Sequence, residues 1–348
     1  MRVVSASFRR PMELRVTRST LELAAAFGIA RGSRTNQTVV QVELEHDGIT
    51  GRGEASAVYY RGESIDAVVE FLGETAPPLV GEDPFALEDI EERLEDVDGL
   101  TGGKAALDGA LHDWIGKRLG VPLWRLLGLS PVAPHTSFTI GIDTIEGTRE
   151  RVRQAREFRS LKVKVGGAED LERLEAVREE SPEAAIRVDA NEGWTLDSAR
   201  ELMPELIRLG VEFVEQPFPA ADIDSFKALK DLHPRLPVIV DEGCQNLTDV
   251  APAAAYADGI NVKLAKSGGV REAVRMIHAA RALGLHVMIG CMVESQLGVA
   301  PAAALASLAD WVDLDGHLLL ADQPVTGLRF EDGRVLPSAE PGLGVAPA

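Results

Sequence analysis

Two lysines lie two residues apart in the segment LKVKVG, residues 161–166. Side chains alternate along a β-strand, so Lys162 and Lys164 share one face and apolar residues occupy the other. If the strand belongs to a barrel, its apolar face packs beneath helices and both lysines point toward the barrel axis. Two adjacent buried ammonium groups are unfavourable by several kcal/mol unless anions compensate them. The pattern therefore predicts nearby carboxylates; a solvated lysine pair at a sheet edge is the alternative.

Three carboxylates end three later β-rich runs, Asp189 in RVDAN, Glu215 in VEQP and Asp241 in VDE. Each follows a valine, and on consecutive parallel strands the three would converge at one rim and repel one another. Ligation by oxygen alone suits a hard cation. These residues are predicted to hold one Mg²⁺ per active site; loop capping or pairing with surface arginines is the alternative.

Two further lysines occur in the segment NVKLAKSGG, residues 261–269. Alternation places Lys263 on the inward face, whereas Lys266 falls in the following loop and could equally be at the surface. A lysine near other cations and partly desolvated loses basicity and can act as a base near neutral pH. Lys164 and Lys263 on opposite walls could move a proton from one face of an α-carbon to the other, while Mg²⁺ stabilises the enediolate.

The elements that must position these residues form a regular series. From about residue 135, short β-rich runs alternate with helical periods, and corresponding positions recur every 22 to 27 residues. Eight such units in a row predict an α/β fold with a closed parallel barrel. A doubly wound sheet fits less well because no GxGxxG follows the first strand. The eight runs are SFTIGI (137–142), LKVKVG (161–166), AIRVDAN (185–191), VEFVEQP (211–217), PVIVDE (237–242), GINVKL (259–264), HVMIG (286–290) and WVDLDG (311–316).

The first third has a different, α+β pattern. Residues 13–22 and 38–45 alternate well enough for two antiparallel strands, and three glycines, Gly48, Gly51 and Gly53, are interpreted as a turn after the second. The clearest helix is predicted over residues 104–119. The Gly- and Pro-rich tail from about residue 318 is expected to pack back on this N-terminal region.

Composition limits the classes of partner. The 348 residues carry 36 Lys and Arg against 55 Asp and Glu, a formal net charge of −19. This charge argues against nucleic-acid binding. The longest apolar tract, residues 298–308, is too short to cross a membrane. Cys244 and Cys291 cannot form a disulfide framework. We therefore expect a cytoplasmic protein with a small-molecule substrate and neither a nucleic-acid nor a membrane partner.

Together these motifs resemble the enolase superfamily, specifically its muconate lactonizing subgroup. The resemblance also covers the stretch KAALDGALHDWIGKRLGVPLWRLLG (104–128) and the PGLG near the C-terminus (341–344). It implies that Lys164 and Lys263 are the acid/base catalysts, and that Lys162 tunes Lys164. It also implies that the Mg²⁺ ligands are Asp189, Glu215 and Asp241. Gly243 is a departure, since the subgroup often has Ser after Asp-Glu.

The resemblance also implies a domain organisation. It predicts a modified TIM barrel of the (β/α)7β type at residues 113–317, with an N-terminal α+β capping domain at residues 1–112. The C-terminal segment, residues 318–348, would complete the capping domain, whose loops close the barrel mouth.

Two features are similar to dipeptide epimerases within that subgroup. Asp313 and Asp315, on the predicted eighth strand, are similar to the DxD that receives a substrate α-ammonium. The segments FGIARGSR (27–34) and YYRGES (59–64) are similar to capping loops of L-Ala-D/L-Glu epimerases. Arg31, with Arg34 behind it, could bind a distal carboxylate; solvated loop arginines are the alternative. The resemblance thus implies Mg²⁺-dependent 1,1-proton transfer at the C-terminal residue of a dipeptide such as L-Ala-D/L-Glu, and a role in murein peptide recycling.

Other functions fit parts of the pattern. N-succinylamino-acid racemase, o-succinylbenzoate synthase and muconate cycloisomerase would use the same scaffold. A Schiff-base aldolase would use a lysine as nucleophile, and a non-catalytic protein would bind a metal–carboxylate ligand without turnover. The side chains of the dipeptide and the oligomeric state, including a homo-oligomer, are left open by the sequence.

Overall fold

The N-terminal part contains a three-stranded antiparallel sheet, in a computed structural model that describes residues 11–232 and 235–348. The first ten residues of the predicted capping domain therefore lie outside the described residues. The strands are β1 (Glu13–Ile29), β2 (Gly32–His46) and β3 (Ile49–Ser56). The third strand was not predicted, because its glycines were interpreted as a turn. A Cβ on Gly53 would lie 1.9 Å from the carbonyl oxygen of Ala106, so glycine here permits a helix to pack flat on the strand.

The first two strands contain the predicted ranges but extend beyond them to form a long hairpin. They pair from Glu13 with Glu45 to Ile29 with Gly32, with a register shift between Glu22 and Phe27. Residues near the tip are fastened to other parts of the chain by backbone hydrogen bonds. Ile142 N donates to Gly28 O at 2.9 Å, and Ala24 N donates to Leu319 O at 2.9 Å. These contacts hold the hairpin tip over the rest of the molecule.

Five α-helices follow this sheet, together with a 3-10 helix (Tyr59–Arg61) and a π-helix (Phe71–Thr75). The helix predicted over residues 104–119 is present and begins slightly earlier, and it runs through residue 112, where the predicted domain boundary lies. That boundary stays a prediction. The helices are α1 (Ile65–Glu70), α2 (Pro77–Val80), α3 (Leu87–Glu95), α4 (Thr101–Leu119) and α5 (Leu123–Leu126).

Eight parallel strands form the barrel, each pairing with its neighbours in chain order. A bridge between Thr136 and Val312 joins the first strand region to the last. Each of the eight predicted runs contains one of these strands, so the predicted barrel is confirmed. The strands are β4 (Ser137–Ile140), β5 (Ser160–Lys164), β6 (Ala185–Asp189), β7 (Val211–Glu215), β8 (Val238–Val240), β9 (Gly259–Lys263), β10 (His286–Gly290) and β11 (Trp311–Asp313).

Helices alternate with the barrel strands and cover their apolar outer faces. Thr195 caps the N-terminus of one of them, accepting a hydrogen bond from Ser198 N, as its residue type predicts. The helices are α6 (Ile145–Gln154), α7 (Asp170–Glu180), α8 (Leu196–Arg208), α9 (Ile223–Leu232), α10 (Leu247–Ala253), α11 (Leu264–Ser267), α12 (Val270–Ala282) and α13 (Gln296–Leu305).

The C-terminal segment contacts both regions. Ala321 N donates to Glu22 O on β1, and Leu343 N donates to Asp113 on α4. Phe330 packs instead against Phe158 of the barrel, with ring centroids 5.1 Å apart. The remaining short strands are β12 (Val325–Thr326), β13 (Arg329–Glu331), β14 (Arg334–Leu336) and β15 (Ala346–Pro347).

Three apolar clusters are found among the described residues. One lies between the N-terminal sheet and helices such as α4, and the largest lies between the barrel strands and their surrounding helices. A small third cluster consists of Phe213, Ile239 and Met288 on barrel strands. Across residues 11–232 and 235–348, the helices are all too short or too polar to traverse a lipid bilayer.

Candidate active site

The carboxyl ends of the barrel strands enclose a cavity of about 610 Å³, here called the mouth cavity. Its wall includes Lys162, Lys164, Lys263, Asp313 and Asp315, together with the tip of the β1–β2 hairpin. Strand register brings the predicted residues to one level, since Lys164 pairs with Asp189 and Asp189 pairs with Glu215.

Lys162 is more enclosed than Lys164 and Lys263, with 1% of its area exposed against 7% for each of them. Its Nζ lies 3.0 Å from Asp189 Oδ2, 2.8 Å from Glu215 Oε2 and 2.7 Å from Asp313 Oδ2. Burial acts to lower the pKa of Lys162, but the charges of Asp189, Asp313 and Glu215 outweigh it and raise that pKa above its ordinary value. Lys162 is therefore a fixed positive charge shared among three carboxylates.

The two predicted catalysts each contact a different carboxylate. Lys164 Nζ donates to Asp189 Oδ2 at 2.6 Å, and Lys263 Nζ donates to Asp241 Oδ2 at 2.7 Å. Their strands, β5 and β9, are separated by three strands in either direction around the barrel, so they lie on opposite walls. The predicted loss of basicity is not found for Lys263. Burial acts to lower its pKa, but Asp241 and the other nearby anionic groups together raise that pKa above its ordinary value.

Lys266 is buried rather than at the surface, with 1% of its area exposed. Its Nζ donates to the carbonyl oxygens of Asp241 at 2.6 Å, Cys244 at 3.0 Å and Asn261 at 2.9 Å. Lys266 therefore ties the end of β9 to the loop after β8. The sequence pattern left this residue open because it follows the strand and so has no strand face.

The three predicted metal ligands are buried, and their surroundings shift their pKa values in different directions. Burial acts to raise the pKa of Asp189 and of Asp241, but their lysine partners outweigh it and lower both. Burial and the neighbouring charge of Asp189 raise the pKa of Glu215 to about 7. The lysine contacts thus do not fully compensate the negative charge that the three carboxylates bring together.

These residues fit a hard divalent cation. Glu215 Oε2 and Asp241 Oδ1 are buried and make no hydrogen bond, although each lies within ion-pair distance of a lysine. All donors are carboxylate oxygens, the ligands that Mg²⁺ prefers. Lysine ammonium groups contact each carboxylate, and within the described part of the chain no set of three His, Cys, Asp or Glu side chains is arranged as a finished metal cage. Binding a cation therefore requires these lysine contacts to rearrange.

Asp313 and Asp315 both line the mouth cavity, but only Asp313 belongs to the strand, since β11 ends there. Asp313 Oδ1 is buried without a hydrogen bond, and Asp315 Oδ2 accepts one from Thr139 N at 2.6 Å. Burial, and then the charge of Asp313, raise the pKa of Asp315 to about 7. Two carboxylates this crowded would be relieved by a cationic ligand group.

Arg31 and Arg34 differ in their partners. Arg31 donates to Glu242 Oε1 at 2.6 Å and to Glu192 Oε2 at 3.2 Å, and its guanidinium lies 5.3 Å from the ring centre of Tyr60. Arg31, which was predicted to bind a substrate carboxylate, is therefore already paired with two carboxylates of the protein itself. Arg34 donates to the amide oxygen of a neighbouring glutamine.

Several residues at the barrel rim were not predicted. Asn191, Glu192 and Gln216 have left-handed backbones, with φ of 43°, 68° and 38°, which are uncommon for residues other than glycine and recur at functional sites. Gln216 Oε1 accepts from Asp241 N at 2.8 Å, and Glu242 contacts Arg31 as described. In the sequence, each of these residues could have been recognised only as a polar residue shortly after the end of a predicted strand.

Two family models together match most of the chain. Residues 11–128 match the mandelate racemase / muconate lactonizing enzyme N-terminal domain, and residues 146–348 match the enolase C-terminal domain-like family.

Individual proteins are similar over nearly the whole length. An L-Ala-D/L-Glu epimerase from Bacteroides thetaiotaomicron is 40% identical over 332 residues, 93% of this chain and 85% of that protein. A hydrophobic dipeptide epimerase from Roseobacter litoralis is 44% identical over 327 residues, covering 91% of this chain and 93% of that one. The crystal structure of a dipeptide epimerase from Methylococcus capsulatus, complexed with Mg and L-Arg-D-Lys, is 34% identical with a TM-score of 0.89; the match covers 96% of this chain and 98% of that one.

Proposed function

The chain belongs to the mandelate racemase / muconate lactonizing enzyme family of the enolase superfamily, and from this premise we propose that it is a Mg²⁺-dependent dipeptide epimerase. It inverts the α-carbon of the C-terminal residue of a dipeptide by 1,1-proton transfer. The observation that carries this function is the placement of Lys164 and Lys263 on opposite walls of one cavity, each beside a different carboxylate.

The two lysines act as base and acid on opposite faces of the substrate α-carbon. A neutral lysine on one wall removes the α-proton and becomes an ammonium, leaving the electron pair delocalised into the substrate carboxylate as an enediolate. The ammonium of the opposite lysine then returns a proton to the other face of the α-carbon. The reverse reaction exchanges their roles, so the same two groups serve both epimers.

Asp189, Glu215 and Asp241 are the residues that would hold the metal. When bound, Mg²⁺ supplies positive charge that stabilises the negative charge developing on the substrate carboxylate. Lys162 contacts Asp189, Glu215 and Asp313, so it holds these carboxylates in place.

Asp313 and Asp315 would bind the α-ammonium of the N-terminal residue. Support for this role comes from their burial, from the unpartnered Asp313 Oδ1 and from their position on the cavity wall. A cation is the ligand group that relieves this crowded pair. An N-acylated substrate lacks that cation, so only Lys162, which contacts Asp313, would offset the charge of the pair.

Hydrogen exchange tests this function without knowledge of the preferred side chains. The protein is incubated with a dipeptide library and Mg²⁺ in D₂O, and the products are separated and read by mass spectrometry. We expect a mass increase of one deuterium at the C-terminal residue of accepted dipeptides, with appearance of the second diastereomer, and loss of both with EDTA. A complete absence of exchange across the library would contradict the proposal.

A further inference from the structure

Two buried carboxylates lie outside the site described above, at the junction of the N-terminal sheet and the barrel. Glu54 is on β3 and Glu294 follows β10, and each has 6% of its area exposed. A Cβ on Gly298 would lie 3.1 Å from Glu54 Oε1 and 3.2 Å from Glu294 Cδ, so both carboxylates approach the same point of α13. Neither of them makes an ion pair within residues 11–232 and 235–348. Two acidic groups this close and this buried would repel each other if both were ionised.

The two carboxylates differ in their hydrogen bonds and therefore in their charge. Glu54 Oε1 accepts from Ser295 N at 2.7 Å, and its Oε2 accepts from Ser295 Oγ at 2.6 Å and from Gln41 Nε2 at 3.1 Å. Burial raises the pKa of Glu54, but these donors favour its ionised form. Burial, and then the charge of Glu54, raise the pKa of Glu294 to about 8. At neutral pH the pair therefore carries one negative charge, and Glu294 keeps a proton.

A small cavity of about 20 Å³ connects this pair to Lys263 and is here called the rear cavity. Its wall includes Glu54, Glu294 and Lys263, and it has room for about one water molecule. Lys263 also lines the mouth cavity, so its side chain separates the two cavities. A Cβ on Gly290 would lie 3.1 Å from Lys263 Cε, so the lysine chain passes closely over the end of β10. Glu294 thus lies behind the lysine, on the wall of the rear cavity rather than of the mouth cavity.

The charged groups that face Glu294 come from two elements. They are Glu54 of β3 and Lys263 of β9. The Cys291 thiol, in the segment after β10, also lies nearby, and burial raises its pKa well above its ordinary value, so the thiol is neutral. The residues of α4, α11 and α13 on the wall of the rear cavity are uncharged. The charge behind Lys263 is therefore set by whether Glu294 holds its proton.

On its other side, Lys263 donates to Asp241 Oδ2 at 2.7 Å. While Glu294 is protonated, this close contact is stronger than the attraction of Glu54 across the rear cavity, because the interaction of two charges weakens with distance. Loss of the Glu294 proton would place two adjacent negative charges behind the ammonium. The lysine nitrogen would then be drawn out of the mouth cavity and toward the rear cavity.

From this arrangement we infer that Glu294 is a positioning residue for Lys263, and that its neutral carboxyl keeps the lysine nitrogen in the mouth cavity, facing the substrate α-carbon. This inference rests on the proposed function and deepens it. In this role Glu294 acts only through Lys263 and makes no contact with the substrate. Lys164 lies on the opposite wall and does not line the rear cavity, so its half of the reaction should not depend on Glu294.

Single-lysine proteins separate the contributions of the two walls. Lys164→Ala leaves Lys263 as the base, and Lys263→Ala leaves Lys164. The substitutions E294Q and E294A are introduced into each, and α-deuteration of each pure diastereomer of an accepted dipeptide is measured with saturating Mg²⁺ in D₂O. Rates are compared about one pH unit below and about one pH unit above the pKa of Glu294. Thermal unfolding of every variant checks that it is folded.

In the Lys164→Ala background we expect E294A to lower the exchange rate about 10- to 100-fold at the lower pH, the usual effect of misplacing a catalytic group. E294Q should keep most of the rate, because an amide reproduces the shape and neutrality of the protonated carboxyl. At the higher pH, the protein with Glu294 should fall about tenfold relative to E294Q, since about one tenth of Glu294 then keeps its proton. In the Lys263→Ala background, both substitutions should leave the rate near that of the parent at both pH values.

Three results would overturn the inference alone. These are an unchanged rate for E294A in the Lys164→Ala background, an equal loss in both backgrounds, and the same pH dependence with Glu294 as with E294Q. If E294A does not fold, the pH comparison with E294Q decides by itself. A Lys164→Ala protein without exchange would also overturn the inference, because Lys263 would then have no separate activity to position. A wild-type protein that deuterates no dipeptide would instead overturn the proposed function, and this inference with it.

Discussion

Lys162 Nζ lies 2.7 Å from Asp313 Oδ2, and the same nitrogen contacts Asp189 and Glu215. One buried ammonium thus joins the carboxylate proposed to bind the substrate ammonium to two carboxylates proposed to bind the metal. Under both proposals, carboxylates that share this one ammonium would contact the two ends of a bound dipeptide, one directly and the other through the metal.

The substrate-ammonium site is tested by Asp315→Asn. The amide oxygen can still accept from Thr139 N, but the negative charge is lost, so we expect kcat/KM for a dipeptide to fall about 10- to 100-fold, mainly through KM. The exposed Asp322 is the matched control, and Asp322→Asn should leave kcat/KM unchanged. An equal loss with an N-succinylamino acid, which has no ammonium, would show that Asp315 does not recognise that group.

The metal site is tested by Glu215→Gln, which keeps the shape of the side chain and removes its charge. We expect the Mg²⁺ concentration for half-maximal activity to rise at least about tenfold, because a hard cation prefers carboxylate oxygen. Titration calorimetry with Mg²⁺ gives a reading independent of turnover. Glu201→Gln, on the exposed face of α8, is the control. An unchanged Mg²⁺ response in Glu215→Gln would remove this residue from the ligand set.

The unpredicted strand β3 provides a test of packing. A Cβ at Gly53 would overlap the carbonyl oxygen of Ala106, so Gly53→Ala should destabilise the protein by about 1–3 kcal/mol or prevent folding. A Cβ at Gly73 meets nothing within 4 Å, so Gly73→Ala should have little effect. Thermal or urea unfolding measures both. Equal stability of the two variants would contradict the packing of α4 on β3.

His317 predicts a pH dependence of stability. Burial lowers its pKa to about 4, and its Nδ1 is buried without a hydrogen bond. Between pH 4 and about 6.5 the unfolded chain binds a proton that the folded protein does not, so the free energy of unfolding falls as the pH falls through this window. The effect is at most roughly 3 kcal/mol.

The difference between wild type and His317→Gln isolates this contribution from other groups that titrate in the same window. We expect the wild-type unfolding free energy to decrease more steeply below pH 6.5 than that of the variant. Parallel curves from pH 7 to pH 4 would mean that His317 is protonated equally in both states.

The barrel and its charged rim were readable in the sequence because both depend on short-range periodicity. Lys164 and Asp189 end adjacent strands in register, and alternation alone assigns their side chains to the axis. The strand β3 was not readable, since glycine has a low strand propensity and its reason for being there is the distant helix α4. The partners of Arg31 could not be predicted either, because these contacts are also long-range: Glu192 and Glu242 are 161 and 211 residues away in the chain.

The most direct test of the two-base account uses single-lysine variants in D₂O. Neither Lys164→Ala nor Lys263→Ala should interconvert the diastereomers of an accepted dipeptide. Each should still exchange the α-hydrogen of one diastereomer, and the two variants should do so for opposite ones, because each keeps the base on one wall. Wild-type epimerisation by either variant, or exchange of the same diastereomer by both, would contradict the account.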